Sequence, residues 1–414
     1  MKKRIEKTNF KGTVNVPPSK TYVHEYLIGA ALSNGVSRIS NVDMSRDVIS
    51  TLECIKQLGA DYSIDGNTVT VTGTGGNIRT SAANESAIKL NCRESGASLR
   101  FLIPVSLIKT NNVIFSGSEA LIRRGIIGYE PCFGYSGVKY KVLKTRIGIK
   151  GSLKPGCYRL RGSITPQFAS GLLFSLPLLE GDSKLFIYPP FDQYGLVDMT
   201  LDVLKHFGIK IKKIAEDAYF IKGGQTYKPC DVTIEGDWSS AAFFCALNYI
   251  DENNNVKVRG LRDSSLQPDR RIVDYLDAIT SGSATLDVSN HPYLVPVLFS
   301  VAAQCHGATF LGTRSLVTND VNILKELRTE LKKFGAKIEI NRNSVVIMPS
   351  VLHAPTVAID CHHDHRMVMA LSILLTVHGG VITNAEAVKK SYPGFFKELE
   401  HIKYMRLPRK VNLS

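Results

Sequence analysis

The amino-acid sequence predicts an α/β protein of two domains, each made of repeated βαβαββ units. Two recurring sequence patterns support this prediction: a helix followed by Gly and a β-hairpin, and a strand followed by a small polar turn and an apolar helix. The chain has 414 residues, which suggests two or three domains at about 150 residues each. Apolar residues make up 44% and charged residues 21% of the chain, as is typical of globular proteins. This composition excludes a disordered or collagen-like chain.

The helix–Gly–hairpin pattern has three clear copies and three weaker ones. They lie at 52–71, 201–223 and 327–348, and more weakly at 129–143, 273–288 and 395–407. In the clear copies, apolar residues recur at helical spacing and then alternate with polar residues, as on a sheet with one covered face. Gly59, Gly208 and Gly335 fall where the end of a helix needs a positive φ angle. The residues at 65–66 and 341–343 have the chemistry of hairpin turns.

The strand–turn–helix pattern alternates with the helix–Gly–hairpin pattern, and together the six copies of each make six repeats. Its copies begin at Thr13, Ile88, Tyr158, Val232, Ala284 and Val357. Each polar turn would lie at a helix N-terminus, where unpaired N–H groups and the helix dipole favour anions. The same turn residues can also be ordinary N-caps, and this is the expected role of Asp237, Ser239 and Ser240.

The charge balance predicts an anionic partner. Lys and Arg number 51 and Asp and Glu number 37, which leaves a net charge of +14. Nucleic acid, an acidic membrane surface and a phosphorylated small molecule would all fit this charge. The basic residues form no long runs, and the single Trp argues against a base-stacking surface. The apolar runs are shorter than the ~20 residues that span a bilayer. We therefore expect a cytoplasmic protein that binds neither nucleic acid nor membrane.

Long cationic side chains stand at or beside the polar turns. They are Lys20, Arg100, Arg124, Arg366 and Lys390. Arg offers two-pronged contacts to phosphate or carboxylate, and Lys offers a mobile point charge. One such residue alone would be solvated surface, but several at similar points of a repeat predict a small anionic ligand.

The only dense group of possible metal ligands is the segment CHHDHR. It holds His362, His363, Asp364 and His365. A zinc-like site needs three or four ligands, and no second cluster supplies the rest. We therefore expect no metal. The sequence also lacks a P-loop and the G-x-G-x-x-G motif, so no nucleotide cofactor is expected.

Six turn sequences resemble those of the EPSP synthase family, the 3-phosphoshikimate 1-carboxyvinyltransferases, in order over nearly the whole chain. They are VPPSKTYVHEYL, ESGASLR, GSITPQFASGLL, EGDWSSAAFF, DHRMVMALS and VKKSYPGFF. The resemblance implies a two-domain, inverse α/β barrel-like enolpyruvyl transferase fold with three βαβαββ units per domain. It implies domain I at 1–17 plus 236–414, domain II at 18–235, and an active site in the cleft between them.

The same resemblance implies an activity. The family transfers the enolpyruvyl group of phosphoenolpyruvate to the 5-hydroxyl of shikimate 3-phosphate, in chorismate and aromatic amino acid biosynthesis. Phosphate is released, no cofactor takes part, and the protein is expected to be a monomer. Such a reaction needs cations for the phosphates and carboxylates, a base for the hydroxyl, and an acid for the methylene carbon.

The residues expected to bind phosphoenolpyruvate match the family. The resemblance implies roles in substrate binding or proton transfer for Lys20, Thr21, Gly96, Arg124, Gln167, His365, Arg366 and Lys390. Lys20 and His365 are the implied catalytic residues of this set. Arg100 matches an arginine whose role can be structural or ligand-binding.

The residues expected to bind the acceptor depart from the family. Glu25 stands where the family has an Arg for the shikimate carboxylate, and losing such a charged partner costs about 2–5 kcal/mol. Thr165 and Pro166 stand where the family has two Ser for the 3-phosphate, and Pro has no backbone donor. Tyr293 stands in place of the catalytic Asp, and an ordinary Tyr, with a pKa near 10, is a poor base at neutral pH. Asp287, on the same strand–turn unit, is one possible substitute.

A fourth departure lies in the segment before 327–348. The family's Lys, Glu and Arg there align with Asn319, Asp320 and Ile323, and Asp320 could act as a shorter catalytic acid or base. Another register would use three residues of the following helix, Lys325, Glu326 and Arg328. It breaks the spacing from helix to Gly, so the first register is preferred.

Three functions are therefore open. The first is an EPSP synthase with an altered acceptor site. The second is an enolpyruvyl transferase with a different acceptor, for which Glu25 would suit an amine or hydroxyls. The third is a non-catalytic phosphoenolpyruvate-binding protein. A related transferase that acts on a UDP-sugar is not expected, because no turn presents its reactive Cys.

Overall fold

The computed structural model describes residues 1–81, 86–162, 165–189, 194–317 and 322–404. The strands are β1 (Lys3–Ile5), β2 (Lys11–Asn15), β3 (Val36–Ser40), β4 (Asp61–Asp65), β5 (Thr68–Thr72), β6 (Ile88–Arg93), β7 (Asn111–Gly117), β8 (Lys139–Val142), β9 (Arg146–Gly151), β10 (Cys157–Arg161), β11 (Ser183–Tyr188), β12 (Ile211–Ala215), β13 (Ala218–Ile221), β14 (Val232–Thr233), β15 (Asn255–Arg259), β16 (Ala284–Asp287), β17 (Ala308–Leu311), β18 (Lys337–Ile340), β19 (Ser344–Met348), β20 (Ile359–Asp360) and β21 (Gly380–Thr383). The helices are α1 (Lys20–Leu32), α2 (Arg46–Gln57), α3 (Gly96–Val105), α4 (Glu119–Arg124), α5 (Glu130–Ser136), α6 (Gln167–Ser175), α7 (Tyr194–His206), α8 (Trp238–Ile250), α9 (Ile272–Ser281), α10 (Val295–Gln304), α11 (Ile323–Lys332), α12 (His365–His378) and α13 (Phe395–His401).

The chain divides into two compact units. Unit 1 is Met1–Pro17 with Gly236–Ser414, and unit 2 is Pro18–Glu235. Each unit has its own hydrophobic core of buried aliphatic and aromatic side chains. The chain passes from one unit to the other after Pro17 and again after Glu235.

Unit 2 contains three four-stranded sheets with one topology. Their strand orders are β14-β3-β5-β4, β6-β7-β9-β8 and β10-β11-β13-β12. In each sheet the first two strands are parallel and the other two pair antiparallel with their neighbours. A parallel pair needs a crossover, which α3 and α6 supply in two of the sheets, and an antiparallel pair needs only a short turn.

Unit 1 repeats this topology once in full, in the sheet β16-β17-β19-β18. Its other two sheets are smaller, β1-β21-β20 and β15-β2. After Gly282 a single strand, β16, pairs in parallel with β17, so the weaker copy at 273–288 does not lead into a hairpin. After α13 the described chain makes one isolated bridge, between Phe10 and Lys403. The described residues thus form six separate sheets, with no closed barrel among them.

Two strands explain why the sheets of the two units differ. β2 directly precedes α1 of unit 2 but pairs with β15 in unit 1. β14 directly precedes α8 of unit 1 but pairs with β3 in unit 2. Each strand therefore completes a sheet of the unit before the crossing rather than the unit of the helix that follows it.

Three long helices occupy the interior of each unit. In unit 1, α8, α10 and α12 pack against one another, and in unit 2, α3 packs against both α6 and α1. These helices are apolar on nearly all sides, as is typical of buried helices. Several residues of the predicted site stand at the first position of such a helix: Lys20, Gly96, Gln167 and His365.

The local signals of the repeats are confirmed. Gly59, Gly208 and Gly335 have φ angles of 108°, 77° and 94° and follow α2, α7 and α11. The predicted turns at 65–66 and 341–343 connect antiparallel pairs, β4 with β5 and β18 with β19. The α/β fold predicted from the repeats is therefore observed.

Candidate active site

Arg100, Gln167 and Gly96 form one cluster in unit 2. Arg100 Nη1 donates a hydrogen bond of 2.6 Å to Gln167 Oε1. A Cβ atom on Gly96 would lie 2.6 Å from Arg100 Nη1, which is closer than van der Waals contact allows. The absence of a side chain at the first position of α3 therefore leaves room for the guanidinium above the helix N-terminus.

The surroundings of this cluster are positively charged, because a second arginine, Arg124, lies near Arg100. Burial, and then the charge of Arg124, lower the pKa of the Arg100 guanidinium from its ordinary value. Arg100 Nε is also buried without a hydrogen-bond partner in the described part of the chain. Arg124 lies exposed at the end of α4, where its Nε donates to the Ala120 carbonyl oxygen at 3.2 Å. Two neighbouring guanidinium groups and a helix N-terminus favour an anion at this place.

Lys20, the first residue of α1, forms an ion pair with Asp47 on α2. The Lys20 side chain remains 44% exposed and that of Asp47 27% exposed, so both can reach a bound ligand. Thr21 follows Lys20 and is partly exposed. Ser19, the N-cap residue of α1, makes no side-chain hydrogen bond to the first N–H groups of the helix.

A buried chain of hydrogen bonds begins at His24, about one helical turn after Lys20. His24 Nδ1 lies 2.8 Å from Thr51 Oγ1, and Thr51 Oγ1 lies 2.7 Å from Ser98 Oγ. Burial, and then the charge of Lys20, lower the pKa of His24 to about 3, so its imidazole is neutral. The chain joins α1, α2 and α3, which fixes the helix starts that carry Lys20 and Gly96 relative to each other.

Glu25 is a buried, neutral acid. Its side chain is 1% exposed, and its Oε1 accepts a 2.6 Å hydrogen bond from Thr200 Oγ1 on α7. Thr200 Oγ1 in turn lies 2.7 Å from Ser170 Oγ on α6. Burial raises the pKa of Glu25 to about 8, although the bond from Thr200 acts in the opposite direction. Glu25 Oε2 is buried without a partner in the described residues.

The other predicted residues of unit 2 stand at the start of α6. Pro166 is the N-cap residue and provides no side-chain hydrogen bond. Thr165 is partly exposed, and its Oγ1 accepts a long contact of 3.5 Å from the Gln167 N–H.

The structure brings Tyr293, His365 and Arg366 together in unit 1. The ring of Tyr293 lies 5.7 Å from that of His365, and Arg366 Cζ lies 6.0 Å from the Tyr293 ring centroid. Burial, helped by the charges of Asp237 and Asp269, raises the pKa of Tyr293 far above its ordinary value. Tyr293 is therefore a packing partner for the cation and not a base at neutral pH.

Asp364 caps α12 and holds Arg366. It accepts the Arg366 backbone N–H at 2.8 Å, and its two oxygens accept Arg366 Nε at 3.1 Å and Nη2 at 2.6 Å. Burial alone would raise the pKa of Asp364, but the bonds and charge of Arg366 hold it below its usual value. The guanidinium is thus preoriented, as a group that grips an oxyanion should be.

The structure describes two of the remaining predicted residues of unit 1. Lys390 is exposed at the end of the 3₁₀-helix Ala385–Lys390, and its side chain makes no ion pair or hydrogen bond within the described residues. Ile323 is buried at the first position of α11. Asn319 and Asp320 lie outside the described residues.

Three residues that sequence reasoning missed lie beside the predicted ones. Asp47 pairs with Lys20 in unit 2, and Asp269 and His291 face each other in unit 1. Their partners are 22 or more positions away in the chain, so no local spacing could have indicated these pairs. The only local signal was their place beside polar turns. Asp237, by contrast, was predicted as an N-cap, and it accepts the Ser240 N–H at 2.9 Å.

Among the described residues, no three His, Cys, Asp or Glu side chains are placed to hold a metal ion. Within the same part of the chain, no helix is both long enough and apolar enough to cross a bilayer.

Solved structures of enolpyruvyl transferases share this fold. EPSP synthase from Acinetobacter baumannii gives a TM-score of 0.81 at 20% identity, covering 97% of this chain and 98% of that one. The enolpyruvyl transferase NikO from Streptomyces tendae gives a TM-score of 0.74 at 14% identity, again over 97% of this chain and 98% of the other. The architecture is thus that of the enolpyruvyl transferases.

Sequence comparison narrows this class. The family model described as EPSP synthase (3-phosphoshikimate 1-carboxyvinyltransferase) matches residues 5–399. The 3-phosphoshikimate 1-carboxyvinyltransferase of Clostridium perfringens is 35% identical, covering 96% of this chain and 97% of the relative. That of Clostridium kluyveri is 36% identical, covering 96% of both. The chain belongs to the EPSP synthase family, which confirms the resemblance; the roles of individual site residues stay predictions.

Proposed function

We propose that the protein transfers the enolpyruvyl group of phosphoenolpyruvate to the 5-hydroxyl of shikimate 3-phosphate and releases phosphate, as a step of the shikimate pathway. The observation that carries the proposal is the cluster of Gly96, Arg100 and Gln167 beside Arg124. The charge of this cluster and its place at a helix start suit an anion, and the curated relatives of the chain are named for this reaction. We further propose a cytoplasmic monomer with small anionic substrates and no cofactor.

The donor is bound by cations at the helix starts. Lys20, Arg124 and Gln167 of unit 2 and Arg366 and Lys390 of unit 1 are the proposed ligands of phosphoenolpyruvate. The absence of a side chain at Gly96 makes room for the Arg100 guanidinium at the start of α3, where it can add its charge to an anion site. Arg366 supports this role because Asp364 already holds its guanidinium in one orientation.

The reaction adds and then eliminates across the double bond of phosphoenolpyruvate. The acceptor oxygen bonds to C2 and loses its proton to a base, while the methylene carbon gains a proton from an acid. In the second half, the methyl group returns a proton, the C2–O bond to phosphate breaks, and the double bond re-forms. Lys20 is the proposed acid, because its ammonium is half-exposed and paired with Asp47. Asp320 and His365 are further proposed participants.

Two neighbouring arginines provide a matched test of donor binding. Arg123 and Arg124 are adjacent, exposed and on the same short helix. We expect phosphoenolpyruvate to raise the melting temperature of the wild type and of Arg123→Ala, and not that of Arg124→Ala. Losing a charged hydrogen-bond partner should weaken binding by about 1.5–3 kcal/mol, or roughly 10- to 150-fold. Equal shifts in both variants would contradict the role of Arg124.

A second candidate function is enolpyruvyl transfer to an acceptor without a carboxylate. It is favoured by Glu25, which provides a buried neutral acid where the family has a cation. The test compares phosphate release with shikimate 3-phosphate and with its methyl ester, which lacks the carboxylate charge. A faster reaction of the ester would favour the second candidate, and a much slower one would favour the first. A melting shift with phosphoenolpyruvate but no phosphate release with either would indicate a non-catalytic binding protein.

A further inference from the structure

The proposed reaction needs a base for the acceptor hydroxyl, and unit 1 lacks the aspartate that the family pattern would provide. Tyr293 stands in that place, packed against His365 and Arg366. A phenol in this environment does not accept a proton at neutral pH. If the protein is a transferase, a group other than Tyr293 must accept the proton.

The turn that carries Tyr293 also carries a histidine that faces a carboxylate. His291 Nδ1 lies 3.7 Å from Asp269 Oδ1, and the two side chains are 12% and 11% exposed. Nδ1 is buried and makes no hydrogen bond in the described residues. The ring stands edge-on to Tyr275 of α9, with centroids 5.4 Å apart and an interplanar angle of 82°. Moving Nδ1 closer by less than about 1 Å would form a hydrogen bond to the carboxylate.

Asp269 is itself held in place from another element. It lies in the 3₁₀-helix Pro268–Arg271, and its Oδ2 accepts a 2.5 Å hydrogen bond from Ser239 Oγ on α8. The carboxylate therefore has one oxygen fixed by a hydroxyl and the other directed at the imidazole. A carboxylate in this position orients an imidazole and selects the tautomer whose other nitrogen can accept a proton.

Other charged groups surround the pair. The ring of Tyr275, which contacts the imidazole, is influenced electrostatically by four charged groups: Arg271, Asp274, Asp287 and Asp269. Tyr293, two residues after His291, is influenced by the charges of Asp237, Asp269 and Arg366. Asp269 therefore acts electrostatically on Tyr293 as well as facing His291, which links the pair to the Tyr293–Arg366 contact of the same unit.

We propose that His291, oriented by Asp269, is the general base that takes the proton of the acceptor hydroxyl. The inference rests on the proposed function and names the group that performs one of its steps. As the acceptor oxygen bonds to C2 of phosphoenolpyruvate, its proton passes to Nε2 of His291. A separate acid supplies the proton of the methylene carbon. When phosphate leaves, the imidazolium returns its proton to phosphate or solvent, which closes the proton balance. Asp269 acts through His291 and is a positioning residue.

The test compares His291→Ala with the control His306→Ala, which changes an exposed histidine of the same unit. Phosphate release is followed with phosphoenolpyruvate and each of the two acceptors named above. We expect His291→Ala to lower kcat by about 100-fold or more, within the usual range for a general base. The phosphoenolpyruvate-induced melting shift should be kept, and added imidazole should restore part of kcat. His306→Ala should match the wild type.

A second set of variants separates catalysis from packing. Asp269→Asn should lower kcat less than His291→Ala and should move the acidic limb of the pH–rate profile, while Asp269→Glu should recover part of the rate. His291→Gln provides an isosteric variant if the alanine variant melts early. A wild type that releases phosphate and a folded His291→Gln with kcat within threefold of it would overturn this inference alone. A wild type with no turnover on either acceptor would overturn the proposed function together with it.

Discussion

Helix α1 presents two contrasting acid–base environments less than two turns apart, a half-exposed lysine and a buried glutamic acid. At its start, Lys20 is charged, 44% exposed and paired with Asp47. Five residues on, Glu25 is 1% exposed, and burial raises its pKa to about 8. The same helix therefore holds a solvent-accessible lysine at its start and a buried neutral acid in its interior, because the surroundings of an ionisable group decide whether it stays charged.

The largest effect expected from this comparison is on turnover. Lys20→Met removes the ammonium but keeps most of the side-chain volume. We expect kcat to fall by about 10²- to 10⁴-fold, because a proton-transfer group is lost. The melting temperature should change little, since exposed ion pairs contribute only about 0–1 kcal/mol. Lys56→Met is the control, because Lys56 forms an exposed pair with Asp61 on the same unit. Similar turnover in both variants would show that Lys20 takes no part in the chemistry.

The second effect is a pH-dependent stability carried by Glu25. Its pKa is raised by burial from 4.5 to about 8, so the folded state holds a proton that the unfolded state releases across this window. The contribution of Glu25 is therefore complete below pH 4.5 and is lost as the pH rises toward 8, by roughly a few kcal/mol. Glu25→Gln should remove this slope. Urea denaturation at pH 5, 6.5 and 8.5 measures it.

His24 makes this test more specific. Its pKa is lowered to about 3, so its own contribution increases as the pH rises from about 3 to 6.5, opposite in sign to that of Glu25. The difference between the wild type and Glu25→Gln at each pH cancels the His24 contribution. Glu53→Gln, at an exposed carboxylate, is the control. A constant difference across the three pH values would show that Glu25 is ionised in the folded protein.

The smallest effect concerns the hydroxyl that binds Glu25. Thr200→Val removes the donor to Oε1 and the partner of Ser170 without changing the shape of the side chain. We expect a loss of about 1–3 kcal/mol in the free energy of unfolding, because a buried acceptor is left unpaired. Thr200→Ser keeps the hydroxyl and should lose only about 0.8 kcal/mol for its methyl group. If the valine variant is the more stable of the two, the hydrogen bond does not contribute to folding.

Local sequence signals predicted the repeats well. Gly59, Gly208 and Gly335 have positive φ because a helix must end there, and this requirement is visible in a few neighbouring residues. The smaller sheets of unit 1 could not be predicted in this way. Their size depends on β2 and β14, which pair in one unit and lead into a helix of the other. Pairing between strands so far apart in sequence is decided by tertiary contacts, so no periodic pattern in the sequence indicates it.

The residues of the candidate site also divide into those that the sequence predicts and those that depend on partners far away in the chain. Lys20 and Arg100 were predicted from their place at turns of a repeat, and Gly96 and Gln167 from the family resemblance. The structure brings Gly96, Arg100 and Gln167 together. Asp47, Asp269 and His291 could not be predicted, because each is defined by a partner far away in sequence. Glu25 was identified as a departure from the family, but its neutral state follows only from its burial.

The most direct test of the central claim is proton and phosphorus NMR of the protein with phosphoenolpyruvate and shikimate 3-phosphate. If the protein is an enolpyruvyl transferase for this acceptor, a new pair of vinyl protons from an enol ether should appear, with one inorganic phosphate released for each ether. Phosphate accompanied by pyruvate, or no phosphate at all at high protein concentration, would contradict the account.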